Sequence, residues 1–420
     1  MSKFLMEGGK KLTGEVTVGG AKNAALKIIS ASLLAASPCV IKNVPRISDI
    51  EKLLGMLSGI GASLKFDGSS VLVDTKNVNS SHPNEQEMKK LRGSIILIGP
   101  LLARFGKAIF SQPGGCLIGT RPIDDHLDVF EQMGVKIEYK DERFYLSGKP
   151  KAGHIVLKKM SVTATENAIM AAVFSEGATK IHVAAAEPEI KDLADFLNKM
   201  GARIKGAGTH EIEVEGVTRL KGAEYEILPD RIEAGTYIIA GILTNSEITV
   251  GPVNSCHSDL FFKKLKDVGA EFEIVKKDGK EYVKTLKHGK LIARDIDPRP
   301  YPGFPTDLQP QYAVLMTQAE GRTEIFDTMF EGRFRYLEEL KLMKADVDIL
   351  NPNRVVIEGP TELKGAEVSS LDIRGGAAVV LAGLIARGET VINNIEFIDR
   401  GYENMDGRLR SLGAEIKRIN

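Results

Sequence analysis

The chain has 420 residues, 43% of them hydrophobic and 27% charged, with 56 Lys and Arg against 56 Asp and Glu. That length exceeds one compact core of ~100–200 residues, and the balanced charge with this apolar content excludes a general polyanion binder and a disordered chain. Three widely spaced cysteines, Cys39, Cys116 and Cys256, with no CxxC pair, argue against a disulfide framework or a cysteine zinc site.

In chain order, EVTV at Glu15 alternates as a strand does, and AALKIISASLLAA then reads as a helix apolar on nearly every face. The same pair of signals recurs. Further all-apolar helices are predicted at GSIILIGPLLARF, NAIMAAVFSEG, GTYIIAGILTN, QYAVLMTQAEG and GAAVVLAGLIARG. Short strands such as TKIHVA and TVINNI follow, then amphipathic helices such as DLADFLNKMGA and ENMDGRLRSLGA. Each copy ends in one phrase: GASLKF at Gly61, GVKIEY at Gly134, GARIKG at Gly201, GAEFEI at Gly269, KADVDI at Lys344 and GAEIKR at Gly413. The glycine suits a helix C-terminus, and the period is about 70 residues. Six copies, each with one buried helix, predict two domains of three copies, with the helices inside and the strands and amphipathic helices outside. The repeats taken by themselves place the domain cut near residue 210 and fit a scaffold without chemistry.

The irregularities point elsewhere. The second copy is about four residues longer than the others between its two helices, within SQPGGCLIGTRPIDDH. This predicts a glycine-rich flap carrying the thiol of Cys116 next to Arg121, where a neighbouring cation favours a reactive thiolate. Cys39 reads as core, and Cys256 as structural near a helix start. The apolar helices open on Lys22-Asn23, Arg92-Gly93, Thr165-Glu166-Asn167, Glu233, Thr306-Asp307 and Arg374-Gly375. A cation there opposes the helix dipole, so cations at three of six starts predict a polyanionic ligand. No histidine pair has metal-ligand spacing, and His126 reads as a loop hydrogen-bonder. The longest apolar stretch, 94–105, is too short for a bilayer, and the first residues hold no apolar segment, so the expected compartment is the cytoplasm.

GAKNAAL at Gly20, LRGSIILIGPLLARFG at Leu91, PGGCLIGTRPID at Pro113, AEPEIKDLADFL at Ala186, LPDRIEAGT at Leu228, FPTDLQ at Phe304, FEGRF at Phe330 and IDRGYE at Ile398 are similar to the UDP-N-acetylglucosamine 1-carboxyvinyltransferases, in the enolpyruvyl transferase family. The resemblance runs end to end and in order. It implies a two-domain inside-out α/β barrel fold of six βαβαββ repeats. Residues 1–21 plus 230–420 would form one domain, and 22–229, with the Cys116 flap, the other; the active site would lie in the cleft between them. The implied reaction transfers the enolpyruvyl group of phosphoenolpyruvate to the 3′-hydroxyl of UDP-N-acetylglucosamine, releases phosphate, and feeds peptidoglycan synthesis. A 5-enolpyruvylshikimate-3-phosphate synthase, which shares the fold but lacks the cysteine loop, is the alternative enzyme.

The resemblance also implies roles. Cys116 would be the general acid and the thiol alkylated by fosfomycin. Asp307 would take the hydroxyl proton. Lys22, Arg121 and Arg400 would hold phosphoenolpyruvate, and Asn23 would bond the sugar. Arg92, Arg121, Pro122, Ile123, Asp124, Asp125, Lys159, Ser161 and Val162 would contact the uridine diphosphate. The Met329 backbone would meet the sugar nucleotide, and Arg333, Asp372 and Arg374 would line the cleft. Thr163, Asp125, Met329 and Lys344 depart from the commonest pattern. No cofactor, metal, nucleic acid or membrane partner is implied.

Overall fold

The computed structural model describes residues 2–112, 114 and 123–419. These divide into two compact units, one of residues 2–19 with 229–419 and the other of the described part of 20–228. Each unit contains three helices buried on nearly every face. In the 20–228 unit they are α1 (Lys22–Ala31), α2 (Ile98–Phe105) and α3 (Val162–Ala172). In the other they are α4 (Arg231–Leu243), α5 (Gln309–Met316) and α6 (Ile373–Ile385). α2 packs on α3, and α4, α5 and α6 pack on one another. Runs of Ala, Gly, Val, Ile and Leu with no polar stripe have no face to offer water, so burial all round is their stable solution.

The apolar run at 94–105 is not one α-helix. It is a 3-10 turn, Arg92–Leu97, that leads into α2. Pro100 is the third residue of α2, where an N–H has no intrahelical acceptor to lose.

An amphipathic helix follows in every copy: Ser48–Gly59, Asp124–Gln132, Pro188–Lys199, Asp259–Val268, Tyr336–Leu342 and Met405–Ser411. The repeat phrase then turns the chain. Gly61, Gly134, Gly201, Gly269 and Gly413 all have φ between +76° and +107°. Lys344, at the sixth such position, has φ +71°, a left-handed conformation that costs a residue with a Cβ about 1–2 kcal/mol.

Among the described residues the strands form six separate sheets, four of four strands and two of three. Three of the sheets borrow a strand from outside their own copy. Glu224–Glu226 runs parallel to Cys39–Lys42, so the end of the third copy completes the first. Gly14–Thr17 runs parallel to Ile248–Val253. Lys3–Glu7 lies between Glu389–Asn393 and Glu415–Ile419, antiparallel to both, with Lys3 opposite Ile419.

Asp192, buried on Pro188–Lys199, anchors the strand Glu224–Glu226 by accepting from the Tyr225 hydroxyl at 2.7 Å. Burial raises this carboxyl to about 7, against the lowering effect of hydrogen bonds from Tyr225 and the Leu228 N–H. An acid whose folded-state pKa lies above its unfolded value of about 3.9 stabilises the fold fully below about pH 4, and that stability is lost as pH rises towards 7. Asp192→Asn stays neutral and still accepts from Tyr225. Its melting temperature is therefore expected to climb relative to the parent between pH 4 and 7. A gap that stays constant over that range removes Asp192 as the cause.

Candidate active site

In the 20–228 unit, α1 begins at Lys22 with no side-chain cap. The Lys22 ammonium lies 3.1 Å from the buried carboxylate of Asp49, in the first turn of Ser48–Gly59. Asn23 follows and is half-buried. A cation at this helix start is thus balanced by a carboxylate from the neighbouring helix of its own copy.

A second group gathers around His126. Ile123 is buried and Asp124 and Asp125 open the helix Asp124–Gln132. Lys159 reaches Asp125 at 3.0 Å, and the Ser161 N–H turns back to the Lys159 carbonyl at 2.7 Å. Ser161 is then the N-cap of α3, without a capping hydrogen bond, and Val162 is its first residue. His126 is a helical residue and is buried, so the expectation of a loop hydrogen-bonder is corrected: the side chain lies between its own helix and α3. Burial, followed by the charges of Arg92 and Lys159, lowers its pKa to about 3. Arg92, Asp125, Lys159, Ser161 and Val162 therefore share one neighbourhood. Further along α1 and α3, Lys27 meets Glu166 at 3.4 Å in a fully buried ion pair.

The other unit holds the group around Asp307, in the 3-10 turn Thr306–Leu308 that leads into α5. Its Oδ1 accepts from Arg333 Nη2 at 2.7 Å, and its Oδ2 from Arg374 Nε at 3.2 Å, with Nη2 at 3.1 Å. Both arginines are almost fully buried, at 1% and 4% exposure, which is tolerable only because they share Asp307 while Asp327 acts on Arg333 and Asp230 on Arg374. Arg333 Nε also donates to the Thr306 hydroxyl at 3.1 Å, which donates to Asp327 at 2.7 Å. Asp327 in turn accepts from the Met329 N–H at 2.8 Å. Asp372 caps α6 by accepting from the Arg374 and Gly375 N–H groups, and the Arg374 guanidinium stands over the Tyr402 ring. Two guanidinium groups thus fix the orientation of one carboxylate that remains 28% exposed. Arg400 is half-buried in the turn after Ile395–Phe397, a turn clamped by a two-pronged Arg418–Asp399 pair at 2.8 Å.

Cys116, Arg121 and Pro122 lie outside the described residues. Cys39 is buried in its strand, whereas Cys256 is exposed in the turn Ser255–Ser258, which corrects the expectation of a structural thiol there. The residues that sequence reasoning missed are mostly the carboxylate partners, Asp49 and Asp327, with the buried pair formed by Lys27 and Glu166. Glu166 stood in a flagged helix start; its distance from Lys27 in sequence left no local signal.

The family profile of EPSP synthase (3-phosphoshikimate 1-carboxyvinyltransferase) matches residues 6–409. The chain belongs to the enolpyruvyl transferase family. Relatives within this family include the UDP-N-acetylglucosamine 1-carboxyvinyltransferase of Halothermothrix orenii, 44% identical over 420 residues and covering all of both chains. The protein named UDP-N-acetylglucosamine 1-carboxyvinyltransferase 1 in Staphylococcus aureus is 44% identical over 426 residues, again with full coverage of both. Among solved structures, the enolpyruvyl transferase NikO from Streptomyces tendae matches with a TM-score of 0.90 at 23% identity, over 100% of this chain and 99% of that one. The EPSP synthase of Acinetobacter baumannii matches with a TM-score of 0.77 at 17% identity, over the whole of both chains. These two likenesses establish the enolpyruvyl transferase fold for this chain.

Proposed function

We propose that this chain transfers the enolpyruvyl group of phosphoenolpyruvate to the 3′-hydroxyl of UDP-N-acetylglucosamine, with release of phosphate, as a step of peptidoglycan synthesis in the cytoplasm. The observation that carries this reading is identity of 44% over the full length to enzymes bearing that name. The oriented, part-exposed carboxylate of Asp307 supports it chemically.

In the proposed mechanism Asp307 accepts the proton of the 3′-hydroxyl as the oxygen adds to C2 of phosphoenolpyruvate, and Cys116 protonates C3. The tetrahedral intermediate then loses phosphate from C2 and a proton from C3, which restores the double bond in the enol ether. Lys22, Arg121 and Arg400 hold the phosphate and carboxylate of phosphoenolpyruvate, and Asn23 bonds the sugar. Arg92, Lys159, Ser161 and Val162, with the run from Arg121 to Asp125, take the uridine diphosphate, and the Met329 backbone meets the sugar nucleotide. Arg333 and Arg374 aim Asp307, with Asp372 fixing the start of α6. The two substrates together bring about five negative charges at neutral pH, which this set of cations offsets. Among the described residues no helix is long and apolar enough to cross a membrane.

A coupled phosphate-release assay with phosphoenolpyruvate tests the reading. Release is expected only when UDP-N-acetylglucosamine is added. Faster release with shikimate 3-phosphate assigns the chain to the other branch of the family, and release with neither acceptor defeats catalysis altogether.

A further inference from the structure

Asn167 fixes the direction of a line of hydrogen bonds that ends at Thr163. Its Oδ1 accepts from the Gly99 N–H at 2.8 Å, so its amide nitrogen is the atom that faces the Ile95 carbonyl at 3.0 Å and His126 Nδ1 at 2.9 Å. The reverse amide orientation would set two donors against each other at Gly99. Nδ1 therefore accepts, and a neutral imidazole that accepts at Nδ1 carries its single proton on Nε2. Burial and the two cations beside the ring keep it neutral. Nε2 lies 3.1 Å from Thr163 Oγ1. The Thr163 hydroxyl consequently accepts from the ring, and its own hydrogen must point elsewhere. Among the described residues no carbonyl or carboxylate receives it.

The surroundings say what kind of acceptor would. Thr163 is the second residue of α3 and is half-buried, while the side chains behind it, His126 and Asn167, are buried. Ser161 leaves the first turn of α3 uncapped. Arg92 and Lys159 both act electrostatically on the His126 ring that bonds this hydroxyl, so two cations stand near Thr163, Lys159 also pairing with Asp125. A donor held rigidly in a positive setting suits an anionic oxygen.

We infer that the Thr163 hydroxyl donates to a phosphate oxygen of the sugar nucleotide's diphosphate, with His126 and Asn167 as positioning residues that fix its direction. The inference rests on the acceptor proposed above. Glycine, alanine or valine at this position has no such donor, whereas serine keeps it.

Thr163→Val replaces the hydroxyl by a methyl group of the same shape. Its KM for UDP-N-acetylglucosamine is expected to rise about tenfold or more, the usual worth of a hydrogen bond to a charged group. Its kcat and its KM for phosphoenolpyruvate should stay within about twofold on the same argument, since neither involves this contact. The Kd of UDP, measured by calorimetry, should weaken by the same factor as KM, and Thr163→Ser should restore both. Thr163→Ala gives the same reading if valine disturbs the fold. An unchanged KM and UDP affinity overturns the inference. So does a raised KM with unchanged UDP affinity, which places the lost contact on the sugar, and so does a parallel fall in kcat, which signals general damage. Failure of the wild-type chain to turn over UDP-N-acetylglucosamine defeats the proposed function instead, and the calorimetric comparison still decides whether Thr163 binds a diphosphate.

Discussion

Asp307→Asn is expected to lower kcat by about a thousandfold, the middle of the range for loss of a general base. Asparagine has the shape of aspartate but accepts through one oxygen only. Its NH2 group then faces one of the two guanidinium groups that Asp307 holds at 2.7 Å and 3.2 Å, donor against donor. The substitution therefore removes the proton acceptor and also disturbs its setting. Arg333 retains the Thr306 hydroxyl and Arg374 retains the face of Tyr402, so each cation keeps one partner. Removing one member of a buried ion pair costs about 3–5 kcal/mol, and these remaining contacts should hold the cost to the lower part of that range. Phosphate release and thermal unfolding, measured on the same preparation, separate the two effects. A folded variant that keeps a tenth or more of the parent kcat would show that Asp307 is not the base.

The second large effect concerns stability. Neither oxygen of Glu166 has a hydrogen-bond partner, the residue is fully buried, and Lys27 at 3.4 Å supplies its neutralising charge. Burial pushes the Glu166 carboxyl up to about 8; Lys27 pulls the other way, and Glu189 and Glu187 add to the rise. Lys27→Met takes away the opposing charge, so the folded-state pKa rises further above an unfolded value of about 4.3. Stability is then complete below that unfolded value and falls as pH climbs towards the folded one. Because Glu166 in the parent ionises only above about 8, Lys27→Met is expected to cost about 1.4 kcal/mol at pH 9 and visibly less at pH 6, where Glu166 is already protonated. Adding Glu166→Gln, neutral at every pH, should recover most of the loss and flatten its pH dependence. Chemical unfolding of the single and double variants at the two pH values tests this, and equal losses at both, or no recovery, would refute it.

Much of the fold was legible because its signals are local. A helix such as GAAVVLAGLIARG has no hydrophilic face, and α6 is buried along nearly its whole length. The repeat phrase marks a left-handed turn, and even where Lys344 replaces glycine the backbone keeps φ +71°. In the site, cations at helix starts were visible because they violate the dipole rule. Their partners were not. Asp49 for Lys22, Asp307 for Arg374 and Glu166 for Lys27 come from other elements, and a carboxylate that meets a cation only after folding leaves no mark in sequence spacing. The His126 expectation failed for the same reason: the residues that bury it and bond it, Asn167 and Thr163, lie on α3.

The position of Lys3–Glu7 sets an order of events during synthesis. This strand is made long before its two neighbours, Glu389–Asn393 and Glu415–Ile419. The unit built from 20–228 has all its described strands once residue 228 has emerged. The other must wait, and at about 5–20 residues per second the early strand stays without partners for about 20–80 s. An unpaired strand invites association with other chains, and charges at its borders are the usual defence. Lys3 and Glu7 end this strand, and Lys10 and Lys11 follow it. The unit holding Asp307 is thus completed only after the 20–228 unit, when Lys3–Glu7 has met strands made several hundred residues later.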